Sequence, residues 1–182
     1  MNFNQINTLP LAGCYEIMLY SFEDQRGQFI KTWHNEMQPT LNRNFTIQES
    51  FYSLNKKHVA RGLHYQSPPY AQDKLISCLQ GKVIDILLDI RPHSATYGKS
   101  IQLELDSKKP KSIFIDRGIA HGFVSLTNQS ILLYQASEIH SSSHERGVKF
   151  LPEYIDIDIP FEHLIFSERD QQFSEFNQKV SQ

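Results

Sequence analysis

The sequence predicts a mainly β domain, a sandwich or barrel. Its apolar residues fall in short runs rich in β-branched and aromatic side chains, each about one strand long. Gly, Pro, Asn or Ser punctuates most of the gaps between them. Many short strands at this spacing pack as two sheets or close on themselves.

The strongest run is Val83 to Ile90 (VIDILLDI), which Asp85 and Asp89 interrupt. Ser100 to Leu105, Ser112 to Ile115, Gly122 to Leu126 and Ile131 to Ala136 are further strand candidates. Gln80-Gly81-Lys82 and Thr127-Asn128-Gln129 read as hairpin turns. Helix is scarce. One short helix is expected near His34 to Leu41 and another within the last dozen residues. With no internal repeat or low-complexity linker, one domain over 1–182 is the simplest organisation. Its polar tail, about 173–182, is expected to fray.

A chain of 182 residues can bury a substantial core. With 40% hydrophobic and 21% charged residues its composition is globular, which argues against extensive disorder. A formal net charge of −2 argues against a nucleic-acid-coating surface, while leaving room for a local basic pocket. Cys14 and Cys78 form no disulfide framework or metal-type pair and read as reduced thiols. No run reaches the ~18 apolar residues of a membrane span. The start, MNFNQINTLP, lacks the features of a signal peptide, so a cytoplasmic protein is expected.

Of eight histidines, His64 (ARGLHYQ) and His121 (RGIAHGF) stand out. Each lies near a glycine and an arginine among apolar residues, as a polar group facing a barrel interior would. The plainer alternative is two histidines bonded to backbone. Arg26, in Asp24-Gln25-Arg26-Gly27, reads as part of a β-turn. It also reads as an anion-binding arginine whose planar fork suits phosphate. Tyr134 in a strand is ordinarily packing, and Asp170 near the C-terminus is ordinarily solvated or capping.

Taken together, nine segments resemble the dTDP-4-dehydrorhamnose 3,5-epimerase family, in order and in register from about residue 13 to 172. They are DQRG at Asp24, IQES at Ile47, RGLHYQ at Arg61, KLISCLQGKVIDILLDIR at Lys74 and TYGK at Thr96. They continue with IFIDRGIAHGF at Ile113, LLYQ at Leu132, SHERGVKF at Ser143 and FSERD at Phe166. The resemblance implies a cupin-type β jelly roll working as a homodimer with exchanged N-terminal strands. The implied activity is epimerisation at C3, and at C5, of a 4-keto-6-deoxy nucleotide sugar such as dTDP-4-dehydro-6-deoxyglucose, with no metal or other cofactor.

Carried over by position, the resemblance makes His64 the catalytic base, Asp170 its dyad partner, Tyr134 the general acid and Lys74 the cation beside the enolate. Arg26, Lys31, Gln48, Glu49, Ser50, Arg61, His121, His140, Glu145 and Arg169 fall at substrate-binding positions. These residue types suit the chemistry. A proton beside a ketone needs a held base and an aimed positive charge for the enolate. Histidine titrates near neutrality, and a carboxylate on its other nitrogen fixes its tautomer. Arginines answer a diphosphate.

Three positions depart from the rhamnose-pathway pattern. Lys31 replaces a glutamate, His140 replaces the aromatic ring that stacks on thymine, and Arg169 replaces a lysine. All three concern how the nucleotide or sugar is held, so a C3-only epimerase on another nucleotide-linked 4-keto sugar is the alternative. Three rivals are a metal-dependent cupin, a sugar 3,4-ketoisomerase and a non-catalytic sugar-binding module. The first commonly begins from a His-x-His pair, which Gly62-Leu63-His64-Tyr65-Gln66 lacks. The RGLH and SERD segments favour epimerisation over ketone migration. Joint retention of His64, Asp170, Tyr134 and Lys74 argues against a dead site.

Overall fold

A computed structural model of the protein describes residues 5–41 and 44–177. Its first strands are β1 (Ile6–Thr8), β2 (Tyr15–Met18), β3 (Tyr20–Asp24), β4 (Gly27–Lys31) and β5 (Glu49–Asn55). Then come β6 (Ala60–Gln66), β7 (Lys74–Gln80), β8 (Lys82–Asp89) and β9 (Ser100–Asp106). The last are β10 (Lys111–Ile115), β11 (Ile119–Ser125), β12 (Ser130–Ala136) and β13 (Glu145–Gly147). A six-stranded sheet ordered β1-β2-β10-β7-β12-β5 faces a five-stranded sheet ordered β13-β6-β11-β8-β9, while β3 and β4 form a separate hairpin. The expected β sandwich of jelly-roll type is therefore observed.

Alternation along the strands builds three apolar layers. Ile76, Cys78, Ile113, Ile115, Leu132, Val83, Leu87 and Phe123 fill the space between the sheets. The outer face of the five-stranded sheet carries Leu63, Ile86, Leu88 and Val124, covered by Phe150, Leu164, Phe166 and other residues of the C-terminal segment. The outer face of the six-stranded sheet carries Ile17, Leu75 and Phe114, covered by Trp33, Met37, Leu41 and Phe45. Phe45 meets both Trp33 and Phe114 edge to face, the favoured arrangement for aromatic quadrupoles. Because both faces are covered, strand β11 is buried at every position, which is why it reads as an apolar run.

Two turn expectations are corrected. Gln80-Gly81-Lys82 joins strands of different sheets, and so does Thr127-Asn128-Gln129. Neither closes a hairpin; both carry the chain across the sandwich. They pack against each other, with the Lys82 N–H donating to Thr127 Oγ1 at 3.2 Å. A Cβ on Gly81 would lie 2.3 Å from that hydroxyl, so the contact requires glycine.

The helix expected near His34 to Leu41 is present as a 3-10 turn at Asn35–Met37 continued by α1 (Gln38–Leu41). The C-terminal helix lies earlier than expected. It is the short α2 (Glu168–Gln171), started by Ser167, whose hydroxyl accepts from the Asp170 N–H at 3.1 Å. Of the polar tail, residues 174–177 are irregular and 178–182 lie outside the described residues.

Below β8 the loops are tied by one buried anion. Asp89 is fully buried and accepts from the Arg91 backbone N–H (3.0 Å), Arg91 Nε (2.9 Å) and Nη2 (2.6 Å), Ser94 Oγ (2.6 Å) and Thr96 Oγ1 (2.6 Å). Arg91 continues to Asp116 at 2.9 Å and to the Ala12 carbonyl at 2.7 Å. Burial alone would raise the Asp89 carboxyl, but the bonds from Arg91, Ser94 and Thr96 outweigh it and hold it down at about 2. Asp89→Ala is expected to cost about 3 kcal/mol in urea unfolding at neutral pH, since it removes one carboxylate of the Arg91 pair and the shared acceptor of Ser94 and Thr96. A carboxyl lowered on folding stabilises above its ordinary value of 3.8. The mutant's deficit should therefore shrink as pH falls from there toward about 2.

Candidate active site

Between the sheets, at the end where β6 and β11 meet β7 and β12, lies a cavity of about 330 Å³. Arg61 and His64 on β6 and His121 on β11 line it from the five-stranded sheet. Lys74 on β7, Tyr134 on β12, and Glu49, Phe51 and Ser53 on β5 line it from the six-stranded sheet. Every second residue of these strands points inward, so the polar members occupy places that apolar residues hold elsewhere.

His64 Nε2 lies 2.8 Å from Asp170 Oδ1. An ionised carboxylate only accepts, so Nε2 carries the proton and Nδ1 keeps the lone pair. Asp170 is buried, and its second oxygen accepts the Gly62 N–H at 3.1 Å. Burial would raise this carboxyl, but the His64 bond and charge and the Gly62 N–H prevail and hold it at about 2. Arg169 Nη2 stands 3.2 Å from His64 Nε2. With both atoms protonated this is a close approach rather than a bond, and the guanidinium bonds Glu145 Oε2 at 2.7 Å instead.

The dyad depends on a bulge. Strand β6 spends Gly62 and Leu63 where β11 spends Gly122, so the register moves between His121↔His64 and Phe123↔Arg61. Gly62 has φ +108°, and a Cβ there would lie 2.5 Å from the His121 carbonyl oxygen. A Cβ on Gly122 would lie 2.6 Å from the Arg61 carbonyl oxygen. Glycine at both places lets the strands close and brings His64 and His121 side by side.

Desolvation pushes the Lys74 ammonium down to about 8, against the pull of Glu145 and Asp85. Burial, reinforced by Asp85, pushes the Tyr134 phenol well above its ordinary value, opposed by a hydrogen bond with Ser53 and by Arg61. Phe51 stacks on the Tyr134 ring at 4.9 Å with planes 9° apart. Arg61 is aimed by Asn55, which accepts from its Nε at 2.8 Å. At the mouth, Glu145 takes Arg169 and, at 3.3 Å, His140 Nε2. Glu49 accepts the His140 N–H at 2.7 Å.

Ten of the fourteen residues singled out in the sequence thus meet here. His64, Tyr134, Lys74, Glu49, Arg61, His121, His140, Glu145 and Arg169 line the cavity, and Asp170 stands behind His64. Four are placed elsewhere. Arg26 sits at the tip of the β3–β4 hairpin, paired with Asp24, and Lys31 ends β4 opposite Tyr20. Gln48 precedes β5, its N–H bonded to the Ala136 carbonyl. Ser50 alternates to the face opposite Glu49 and Phe51.

Sequence reasoning passed over Phe51, Gln66 and Gln72 in the lining, and Asp85 behind His121. Only Asp85 left a signal, a charge inside an apolar run. Among the described residues no three His, Cys, Asp or Glu side chains converge as metal ligands. The chemistry on offer is an imidazole lone pair, a phenol and an ammonium around a pocket with guanidinium groups, which suits proton transfer beside a carbonyl. Gly62→Ala is expected to cost about 1–3 kcal/mol through backbone strain alone. Thermal unfolding should show the loss, and histidine NMR should show the His64–Asp170 bond disturbed.

The chain resembles known proteins over most of its length. The family model of dTDP-4-dehydrorhamnose 3,5-epimerase matches residues 8–178. A dTDP-4-dehydrorhamnose 3,5-epimerase of Shigella flexneri is 33% identical over 150 residues, 82% of this chain and 83% of the relative. The crystal structure of the Elizabethkingia anophelis NUHP1 enzyme of that name superposes with a TM-score of 0.90 at 34% identity, covering 98% of this chain and 99% of that one. A dTDP-6-deoxy-D-glucose-3,5-epimerase of Legionella pneumophila, solved with dTDP-4-keto-L-rhamnose, superposes at 0.88 and 26% identity over 98% of this chain and 95% of its own.

Proposed function

The chain belongs to the dTDP-4-dehydrorhamnose 3,5-epimerase family, and on that premise we propose how its cavity inverts C3 and C5 of a dTDP-linked 4-keto-6-deoxy sugar. The observation that carries the reading is the His64–Asp170 pair on one sheet with Tyr134 and Lys74 on the other, around one cavity. His64 Nδ1 takes the proton from the carbon beside the ketone. The electron pair moves into the carbonyl, and the Lys74 ammonium stabilises the resulting enolate oxygen. Tyr134, kept as a phenol by burial, returns a proton to the opposite face. The imidazolium and the phenolate then exchange protons with solvent, and the cycle repeats at the second carbon. Arg61, His140, Glu145 and Arg169 would hold the nucleotide diphosphate and sugar.

The site is completed by a second copy of the chain. The β3–β4 hairpin pairs only with itself among the described residues and exposes Tyr20, Phe22 and Phe29, while β5 is an edge strand exposing Phe51, Tyr52 and Leu54. Such an edge and such a hairpin ask for cover. An exchanged hairpin would supply it and would carry Arg26 and Lys31 toward the partner's cavity. Two free, buried cysteines fit work in a reducing compartment. No helix among the described residues is long and apolar enough to cross a membrane.

Incubation with dTDP-4-keto-6-deoxyglucose in heavy water should place deuterium at C3 and C5. Uptake at C3 alone would make the enzyme a 3-epimerase, and uptake at neither would reject this substrate. His64→Ala should slow exchange by about 10²–10⁴, and Tyr134→Phe should slow inversion more than proton removal. Wild-type exchange in His64→Ala would remove the base assignment. The kcat/KM profile should fall above pH about 8, where Lys74 loses its proton; Lys74→Met should remove that limb and lower the rate throughout. Inactive Arg26→Ala and His64→Ala chains, mixed and reassembled, should regain activity, since one site then holds both residues. No regain would place Arg26 outside the partner's site.

A further inference from the structure

Packing does not account for Asp85. It is fully buried on β8, on the face where Val83 and Leu87 join the layer between the sheets. Its Oδ2 lies 2.8 Å from His121 Nε2, and its Oδ1 is buried with no hydrogen-bond partner among the described residues. Asp89, four residues along the same strand, shows how this fold satisfies an aspartate that serves structure, by surrounding it with donors. A buried carboxylate left half satisfied is costly and asks for another explanation.

Its neighbours supply one. His121 is the register partner of His64, so two histidine–carboxylate pairs stand side by side at the cavity. Burial raises the Asp85 carboxyl against the charge and hydrogen bond of His121 and the charge of Lys74, and the Asp85 charge in turn reaches Lys74 and Tyr134. We infer that Asp85 is a positioning residue for the proton transfers, holding His121 with Nε2–H turned inward and Nδ1 free for the substrate, and standing as the fixed anion behind Lys74. The inference rests on the epimerase reading above. The Asp85 charge favours the ammonium that meets the enolate. The same charge opposes ionisation of Tyr134 and so keeps its proton available. The other titratable and charged groups lining the cavity with Lys74 are Glu145, His64, His121, Tyr134, Tyr65, Arg61, Glu49, His140 and Arg169. Of these, Glu145 acts on Lys74 in the same sense as Asp85.

Asp85→Asn tests this, because the amide oxygen can still accept from His121 while the charge is gone. With dTDP-4-keto-6-deoxyglucose, kcat should fall at least ten-fold with little change in KM. The basic limb of kcat/KM should move to lower pH, since Lys74 loses an anion that favours its charged form. A fall in kcat with the limb unmoved, or wild-type kcat and limb together, would overturn the inference. If the variant does not fold, the imidazole ¹⁵N spectrum of the wild-type protein decides. A proton on His121 Nε2 is expected, and a bare Nε2 overturns the assignment. If the wild-type protein fails to exchange deuterium, the epimerase reading falls, and the ¹⁵N spectrum still reports on Asp85 separately.

Discussion

Gly62 donates its N–H to Asp170 while its Cα stands so near β11 that any side chain would meet the His121 carbonyl. From that approach the rest of the site follows. The bulge resets the register of β6, so His64 and His121 point into one cavity, and α2 finds a backbone donor against which to lodge its aspartate. Because Asp170 is held by the backbone on one oxygen and His64 on the other, the imidazole has one tautomer and one orientation. A looser junction would leave the same residues present and the base free to turn.

The sandwich divides its interior between two tasks. The facing strands carry Val83, Leu87, Ile113 and Leu132, which make ordinary core. Interleaved with them, the same strands or their neighbours carry His64, Lys74, Asp85, His121 and Tyr134. Burying these groups costs stability, and that core together with the covered outer faces offsets that cost. Low dielectric is also what gives the cavity its chemistry, since it weakens the hold of Lys74 on its proton and strengthens that of Tyr134. Stability and function therefore pull on the same few positions, and the ties around Asp89 lie well apart from them in the network of bonds.

Strand legibility followed this division. Strands β8 and β10 to β12 were readable because both faces are apolar or nearly so, leaving runs such as VIDILLDI, and β9 because Ile101, Leu103 and Leu105 alternate with polar residues. Strands β5 and β6 line the cavity, and Glu49, Ser53, Arg61 and His64 break the alternation that would have announced them. The connections at Gly81 and Thr127 were legible as turns and not as crossings, because a turn signal records backbone geometry and says nothing of which sheet receives the next strand.

By itself the sequence determined the β class, the five strands with apolar runs, the place of the first helix and, through motifs in register, the family and its candidate residues. Local pattern suffices for these because alternation and turn chemistry act over a few residues. Only the tertiary structure decided that the Gly62 N–H holds the second oxygen of Asp170, more than a hundred residues away in the chain, and that His121 has its own carboxylate in Asp85. It likewise decided that Arg26 and Lys31 stand on a hairpin apart from their own chain's cavity. Hydrogen bonds and burial act through space, and the separation of two residues along a strand-rich chain carries almost no information about their separation in the folded sheet pair.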